Sequence, residues 1–127
     1  MNTATRTSVL LVDDDAHFRE TLADAMSLKD VSVEPAGSAS EAKQALAKGL
    51  PALILLDVQL PDLSGVELCR QLKRDPRTKG IPIVLLSAKY TEPADRAEGL
   101  LTGADAYLSK PINIDALQDE IKYLIDG

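Results

Sequence analysis

Leu53-Ile54-Leu55-Leu56 is an unbroken apolar run that ends on the carboxylate of Asp57. Pro51 stands before it, and the turn-rich stretch Val58-Gln59-Leu60-Pro61-Asp62-Leu63-Ser64-Gly65 follows. A short continuous apolar run between such punctuation reads as a strand buried on both faces. A strand of that kind belongs to a parallel sheet covered by helices on each side. Asp57 then lies at the strand's carboxyl end. Open α/β sheets take their ligands in the crevice outside those ends, so the acid stands where chemistry is usual.

The rest of the chain repeats the alternation. Val9-Leu10-Leu11-Val12 predicts a first strand that runs directly into Asp13-Asp14-Asp15. From Ala16 the apolar period becomes three and four residues, through Phe18, Leu22, Ala25 and Met26, which predicts an amphipathic helix to about Lys29. Val31 and Val33 with Pro35-Ala36 predict a weaker second strand at a sheet edge. Ser38-Ala39-Ser40-Glu41 has the spacing of a capping box, and the helix after it is apolar at Ala42, Ala45 and Leu46 and stops at Gly49. Beyond the central strand, Ser64-Gly65-Val66-Glu67 repeats that spacing before a third helix with its stripe at Val66, Cys69 and Leu72, ended by Asp75-Pro76. Ile81-Pro82-Ile83-Val84-Leu85-Leu86 predicts a fourth strand closing on Ser87. Residues 91–101 form a short fourth helix in this reading, with Pro93 near its start and Gly103 past its end. Ala106-Tyr107-Leu108-Ser109 is the fifth strand, followed by Lys110-Pro111. Asn113 caps a last helix that faces inward through Leu117, Ile121, Leu124 and Ile125. Five strands alternating with five helices specify a single doubly wound five-stranded parallel sheet with right-handed crossovers, for which the flavodoxin-like order 2-1-3-4-5 is the expected one.

At 127 residues the chain makes one domain, which buries ~70% of the surface of its unfolded form. Residues 1–7 read as a disordered leader and residues 8–127 as the folded domain. The formal net charge of −6 argues against direct nucleic-acid binding, which needs clustered Lys and Arg to displace counterions. A single cysteine, Cys69, excludes an internal disulfide and fits a reducing compartment. No apolar stretch approaches the ~18 residues of a membrane span, so a cytoplasmic protein without membrane contact is expected.

In the 2-1-3-4-5 order the first and third strands flank the switch point, which brings Asp13, Asp14 and Asp57 within a few ångströms of one another. Two unit charges at 4 Å repel by ~4 kcal/mol at an effective dielectric of 20, so such a cluster either holds protons or recruits a cation. Oxygen ligands and an incomplete shell suit Mg²⁺, which keeps waters and shares phosphate oxygens. The fourth and fifth strands end on Ser87 and Lys110. A hydroxyl and an ammonium converging on an acid-lined crevice are what a phosphoryl oxygen needs and a bare cation site does not. Asp57 has two readings at this point: a plain metal ligand, or a nucleophile that becomes an acyl phosphate. The lone His17 lies at the start of the first helix, and no general base is evident.

Four pieces of sequence then fall together: Val12-Asp13-Asp14; Asp57 with Pro61 and Gly65 four and eight residues on; Ser87; and Gly103-Ala104-Asp105-Ala106-Tyr107-Leu108-Ser109-Lys110-Pro111. In this order, on these element ends, they resemble the receiver domain of bacterial two-component response regulators, over residues 9–125. The resemblance implies that Asp57 accepts a phosphoryl group from a phosphohistidine on a sensor histidine kinase or a histidine phosphotransfer protein. It implies that Asp13 or Asp14, Asp57 and the Gln59 main-chain carbonyl hold Mg²⁺. Ser87 would be the switch hydroxyl, Tyr107 the switch aromatic and Lys110 the partner of the phosphoryl oxygens, with a cis bond between Lys110 and Pro111. Such a domain is regulatory, promoting only its own phosphorylation and slow dephosphorylation. Its output surface would be the fourth helix, fifth strand and fifth helix, engaging a downstream protein or a second copy. Gln59 and Lys89, two residues past Asp57 and Ser87, would flank the path of an attacking water.

Competing readings attach to the same residues. Asp13-Asp14-Asp15 also offers the Asp-x-Asp of a Mg²⁺-dependent phosphohydrolase of haloacid-dehalogenase type, although such enzymes carry an inserted cap for which this chain has little room. A receiver-like module that binds its partner constitutively is the third possibility. Asp15 alone reads best as a helix cap, and Cys69 as a small apolar core group.

Overall fold

The computed structural model describes residues 7–87 and 100–126. Five strands, β1 (Thr7–Val12), β2 (Val31–Ala36), β3 (Leu53–Asp57), β4 (Ile83–Ser87) and β5 (Ala106–Ser109), form one sheet in the order β2-β1-β3-β4-β5. Every neighbouring pair is parallel. The expected strand order is the observed one. The helices among the described residues are α1 (Ala16–Ser27), α2 (Ala39–Lys48), α3 (Gly65–Arg74) and α4 (Ile114–Asp126), the last being the fifth of the five expected. Most of the expected helix at 91–101 lies outside the described residues. Its end, Leu100 and Leu101, is helical, and Gly103 follows with φ +99°, the left-handed conformation that glycine adopts without steric penalty past a helix end. Residues 1–6 of the expected leader also lie outside the described residues, and β1 starts two residues before its apolar run.

Alternation along the strands sorts the core into two layers. Leu10, Val12, Ile54, Leu56, Ile83 and Leu85 point to one face, where Ala42 and Leu46 of α2 and Leu68, Cys69 and Leu72 of α3 cover them. Val9, Leu11, Leu53, Leu55, Val84 and Leu86 point to the other, under Leu22 and Met26 of α1 and Leu117 and Ile121 of α4. Every residue of β3 and β4 is buried, so these central strands need apolar side chains on both faces. Each fully buried aliphatic side chain contributes about 2 kcal/mol of transfer free energy, which makes this pair of strands the rigid floor of the site above it.

Local signals are met with adjustments. Ser38 Oγ accepts from Glu41 N at 3.1 Å, but the Glu41 carboxylate reaches back one residue further than a capping box requires, to Gly37 N at 2.7 Å. Ser64 Oγ accepts from Val66 N, whereas Glu67 turns forward to pair with Arg70; that box is half made, because an ion pair with a neighbour on its own helix outcompetes a contact at the helix end. The α3 stripe is Leu68, Cys69 and Leu72 rather than Val66, Cys69 and Leu72. Ile125, expected to face inward, is 36% exposed. No helix among the described residues is long and apolar enough to cross a membrane.

Candidate functional site

Asp13 follows β1 directly and is fully buried, while Asp57 closes β3 and is 5% exposed. Asp14 is exposed beside them, and one carboxylate oxygen from each of the three lies within 4.8 Å of the others. The backbone on both sides fixes these acids. Asp13 N donates to Ala36 O on β2 at 2.9 Å, and Asp13 O accepts from Arg19 Nη1 on α1 at 2.7 Å. Asp13 Oδ1 accepts from Asp15 N, and Asp57 Oδ1 accepts from Gln59 N, each at 2.9 Å. Both acids thus have one oxygen tied to their own turn and the other turned to the crevice.

The inward oxygens meet Lys110. Its Nζ donates to Asp13 Oδ2 at 2.5 Å and to Asp57 Oδ2 at 3.2 Å. The lysine is hung in place by its backbone, because Lys110 N donates to Ser87 O at 2.8 Å at the paired ends of β4 and β5. Ser87 is buried at the end of β4, in the strand that pairs with β3. Burial raises the Asp57 carboxyl above the ordinary 3.8, the Gln59 amide opposes this, the charge of Asp13 adds to the rise and Lys110 offsets part of it. For Lys110, burial alone would weaken the proton's hold, but the hydrogen bond to Asp13 and the charge of Asp57 outweigh it and raise the ammonium above its usual range. The Lys110-Pro111 bond is cis.

Several expected residues take more definite places. Asp15 caps α1, accepting from Phe18 N at 3.1 Å. Tyr107 is 4% exposed and packs in the α2/α3-side core. His17 is exposed. Lys89 lies outside the described residues. The spacing of Gly65 from Asp57 acquires a cause: a Cβ on Gly65 would lie 1.9 Å from Asp57 O, and Gly65 N donates to Val58 O at 2.9 Å. The start of α3 is therefore pressed onto the backbone that carries the acid, and only glycine fits there. Asp105, from the same motif as Lys110, works on the fold. Its Oδ2 accepts from Ile83 N at 2.8 Å and from Lys73 Nζ at 3.2 Å, joining the starts of β4 and β5 to α3.

Two further contacts, like that of Asp105, were not legible beforehand. Asp62 in the β3–α3 loop accepts from Ala39 N and Ser40 N at 2.9 and 3.0 Å, and these bonds hold its carboxyl below the ordinary value. The loop after Asp57 is thereby tied to the positive end of α2; Ser38 already occupied the cap position in sequence, which hid this partner. Phe18 was read as one more apolar residue of α1, yet its ring centroid lies 4.1 Å from Lys110 Nζ. No local pattern reports that pairing, because the two residues lie on different elements.

The doubly wound sheet thus brings Asp13, Asp14, Asp57 and Lys110 together at the carboxyl ends of its strands, with Ser87 closing the strand between β3 and β5, and comparison with known proteins identifies the family. The family description "Response regulator receiver domain" matches residues 9–122, and the chain belongs to that family. Among curated relatives, the phosphate regulon transcriptional regulatory protein PhoB of Pseudomonas aeruginosa is 39% identical over 118 residues, covering 93% of this chain and 51% of that protein. The response regulator MprA of Mycobacterium leprae is 40% identical over 119 residues, covering 92% and 50%. The chain thus spans about half the length of the curated relatives it matches. Among solved structures, a response regulator of Chloroflexus aurantiacus superposes with a TM-score of 0.89 at 32% identity, covering 96% of this chain and 99% of that one. The receiver domain of a signal transduction histidine kinase from Syntrophus aciditrophicus gives 0.86 at 31% identity, covering 95% and 91%.

Proposed function

We propose that this receiver domain is a phosphorylation-controlled interaction module in which Asp57 takes a phosphoryl group from a phosphohistidine of a sensor histidine kinase or a histidine phosphotransfer protein. An Asp57 oxygen forms a bond to phosphorus as the phosphorus–nitrogen bond of the donor breaks, and the electron pair leaves with the imidazole, which then takes a proton. The observation that carries the reading is the Lys110 ammonium bridging Asp13 and Asp57. It is a cation on a long stem, already bonded to the acceptor and able to follow negative charge from the carboxylate onto the phosphoryl oxygens.

The donor set fits a hard divalent cation: three carboxylates with oxygens inside 4.8 Å, one of them exposed and open to water. Asp13, Asp14, Asp57 and the Gln59 main-chain carbonyl would hold Mg²⁺, which supplies neutralisation of charge on the acids and the incoming phosphoryl group. Ser87 would donate its hydroxyl to a phosphoryl oxygen. The group adds about −1.5 to −2 charge at this end of the sheet. Drawn toward it, Ser87 and Lys110 would shift the ends of β4 and β5 and, with Tyr107, repack the face formed by the segment before β5, β5 and α4. That face would bind a downstream protein or a second copy of the chain.

The test is stoichiometry. With Mg²⁺ and a small acyl-phosphate donor the protein should take up one phosphoryl group per chain and turn over slowly. Continuous hydrolysis of a phosphomonoester that survives Asp57→Asn and is lost in Asp13→Asn would overturn the reading in favour of a hydrolase.

A further inference from the structure

We propose that Phe18 is a positioning residue for phosphoryl transfer, its ring face holding the Lys110 ammonium at the acid cluster; the inference rests on the function proposed above. Among the described residues, Lys110 Nζ has three neighbours from three different elements: Asp13 after β1, Asp57 on β3, and the Phe18 ring on α1 at 4.1 Å. The two carboxylates do not hold it equally, at 2.5 and 3.2 Å. The closer one, Asp13, belongs to the cluster that fits a cation, and a cation held there would compete with the ammonium for the Asp13 charge. The ring offers no ligand to a metal, so its attraction for Lys110 persists whichever way the acids turn. An ammonium on a four-carbon stem that loses a carboxylate otherwise gains entropy by swinging into water. A ring face at this distance opposes that exit, and it does so without adding a negative charge to a site already crowded with them.

The alternative role for Phe18 is packing, since its side chain also lies against the core layer of α1 and α4 and lines an apolar groove of about 500 Å³ with Leu22, Pro111 and Ile112. Leucine or methionine would fill that space as well, but neither carries a quadrupole. The two roles are separable because the chain contains a single phenylalanine. Biosynthetic replacement of phenylalanine by its mono-, di- and trifluoro analogues therefore alters this ring alone, draining electron density from its face with little change of shape.

Each protein is phosphorylated with a small acyl-phosphate donor at saturating Mg²⁺, with the maximal rate and the donor KM determined separately alongside thermal melting. The Lys110 ε-methylene proton shifts are recorded by NMR on the unphosphorylated protein. The maximal rate should fall stepwise with fluorine number, by about two- to fivefold at the trifluoro ring, with KM and melting unchanged. Phe18→Tyr and Phe18→Trp should keep the wild-type rate, and Phe18→Leu should match the trifluoro protein. The ε-methylene protons should be shifted upfield by the ring in the wild type and lose that shift in Phe18→Leu. A flat rate across the fluorinated series, or no upfield shift in the wild type, overturns the positioning role while leaving the receiver function standing. A wild-type protein that takes no phosphoryl group from any donor overturns both.

Discussion

Replacing Asp57 by Asn should make the metal-free protein more stable at neutral pH, although it removes a charge that Lys110 contacts. The Asp13 and Asp57 oxygens lie no more than 4.8 Å apart, so at an effective dielectric of 20 they repel by at least ~3.5 kcal/mol. Asp14 adds a smaller, water-screened repulsion of ~1 kcal/mol. Against these stands the attraction of Lys110, 3.2 Å away, about 5 kcal/mol on the same scale. The Coulombic parts nearly cancel, and the burial of the Asp57 charge then decides the sign, as it does for the raised carboxyl. The asparagine keeps an oxygen for Gln59 N and should stabilise the fold by about 1 kcal/mol. The pH dependence follows from the direction of that shift. An acid harder to ionise in the folded state is no burden below its unfolded value of 3.8, and becomes one as pH rises through its folded titration. Urea unfolding followed by circular dichroism in EDTA should show no difference below the unfolded value of 3.8 and a gain for Asp57→Asn that grows as pH rises through the folded titration. A variant less stable than the wild type at neutral pH, or a difference that does not change with pH, would refute the reasoning.

Other perturbations test single joints of the structure. Gly65→Ala should destabilise by about 2–4 kcal/mol, because its Cβ would stand 1.9 Å from the Asp57 carbonyl oxygen and that backbone must move; urea midpoints and the phosphorylation rate should fall together. Asp62→Ala should lower the melting temperature while leaving the phosphorylation rate unchanged, since it ties a loop to α2 without touching the acids. Its lowered carboxyl makes that stabilisation present above the ordinary value and lost as pH falls through the folded one, so the variant and wild type should converge in acid. Mg²⁺ should raise wild-type stability by about 2.7 kcal/mol at a hundredfold excess over its dissociation constant, an increment that EDTA reverses and that Asp57→Asn shrinks.

The elements could be read from the chain because their signals are local, and their alternation then narrows the sheet to a doubly wound order. Runs such as Leu53-Ile54-Leu55-Leu56 report burial on both faces, and the change of apolar period after Asp15 reports a helix without reference to anything distant. The convergence of Asp13, Asp14, Asp57 and Lys110 was legible for a related reason: once the order is set, residues at strand ends must meet. What stayed hidden depends on the direction of single side chains across elements. Asp62 reaching α2, Phe18 facing Lys110 and Asp105 joining β4 to α3 leave no periodic trace. Glu67 shows the converse, a local signal diverted to Arg70 by a competing neighbour. Gly65 was visible only as a spacing until the backbone carrying Asp57 gave it a cause.

The central claim is that Asp57 is the phosphoacceptor, and intact-protein mass after incubation with Mg²⁺ and a small acyl-phosphate donor tests it most directly. The account predicts one added phosphoryl group, released by hydroxylamine as an acyl phosphate must be, and absent from Asp57→Asn. A phosphoryl group that survives hydroxylamine, or one that is still acquired by Asp57→Asn, would contradict it.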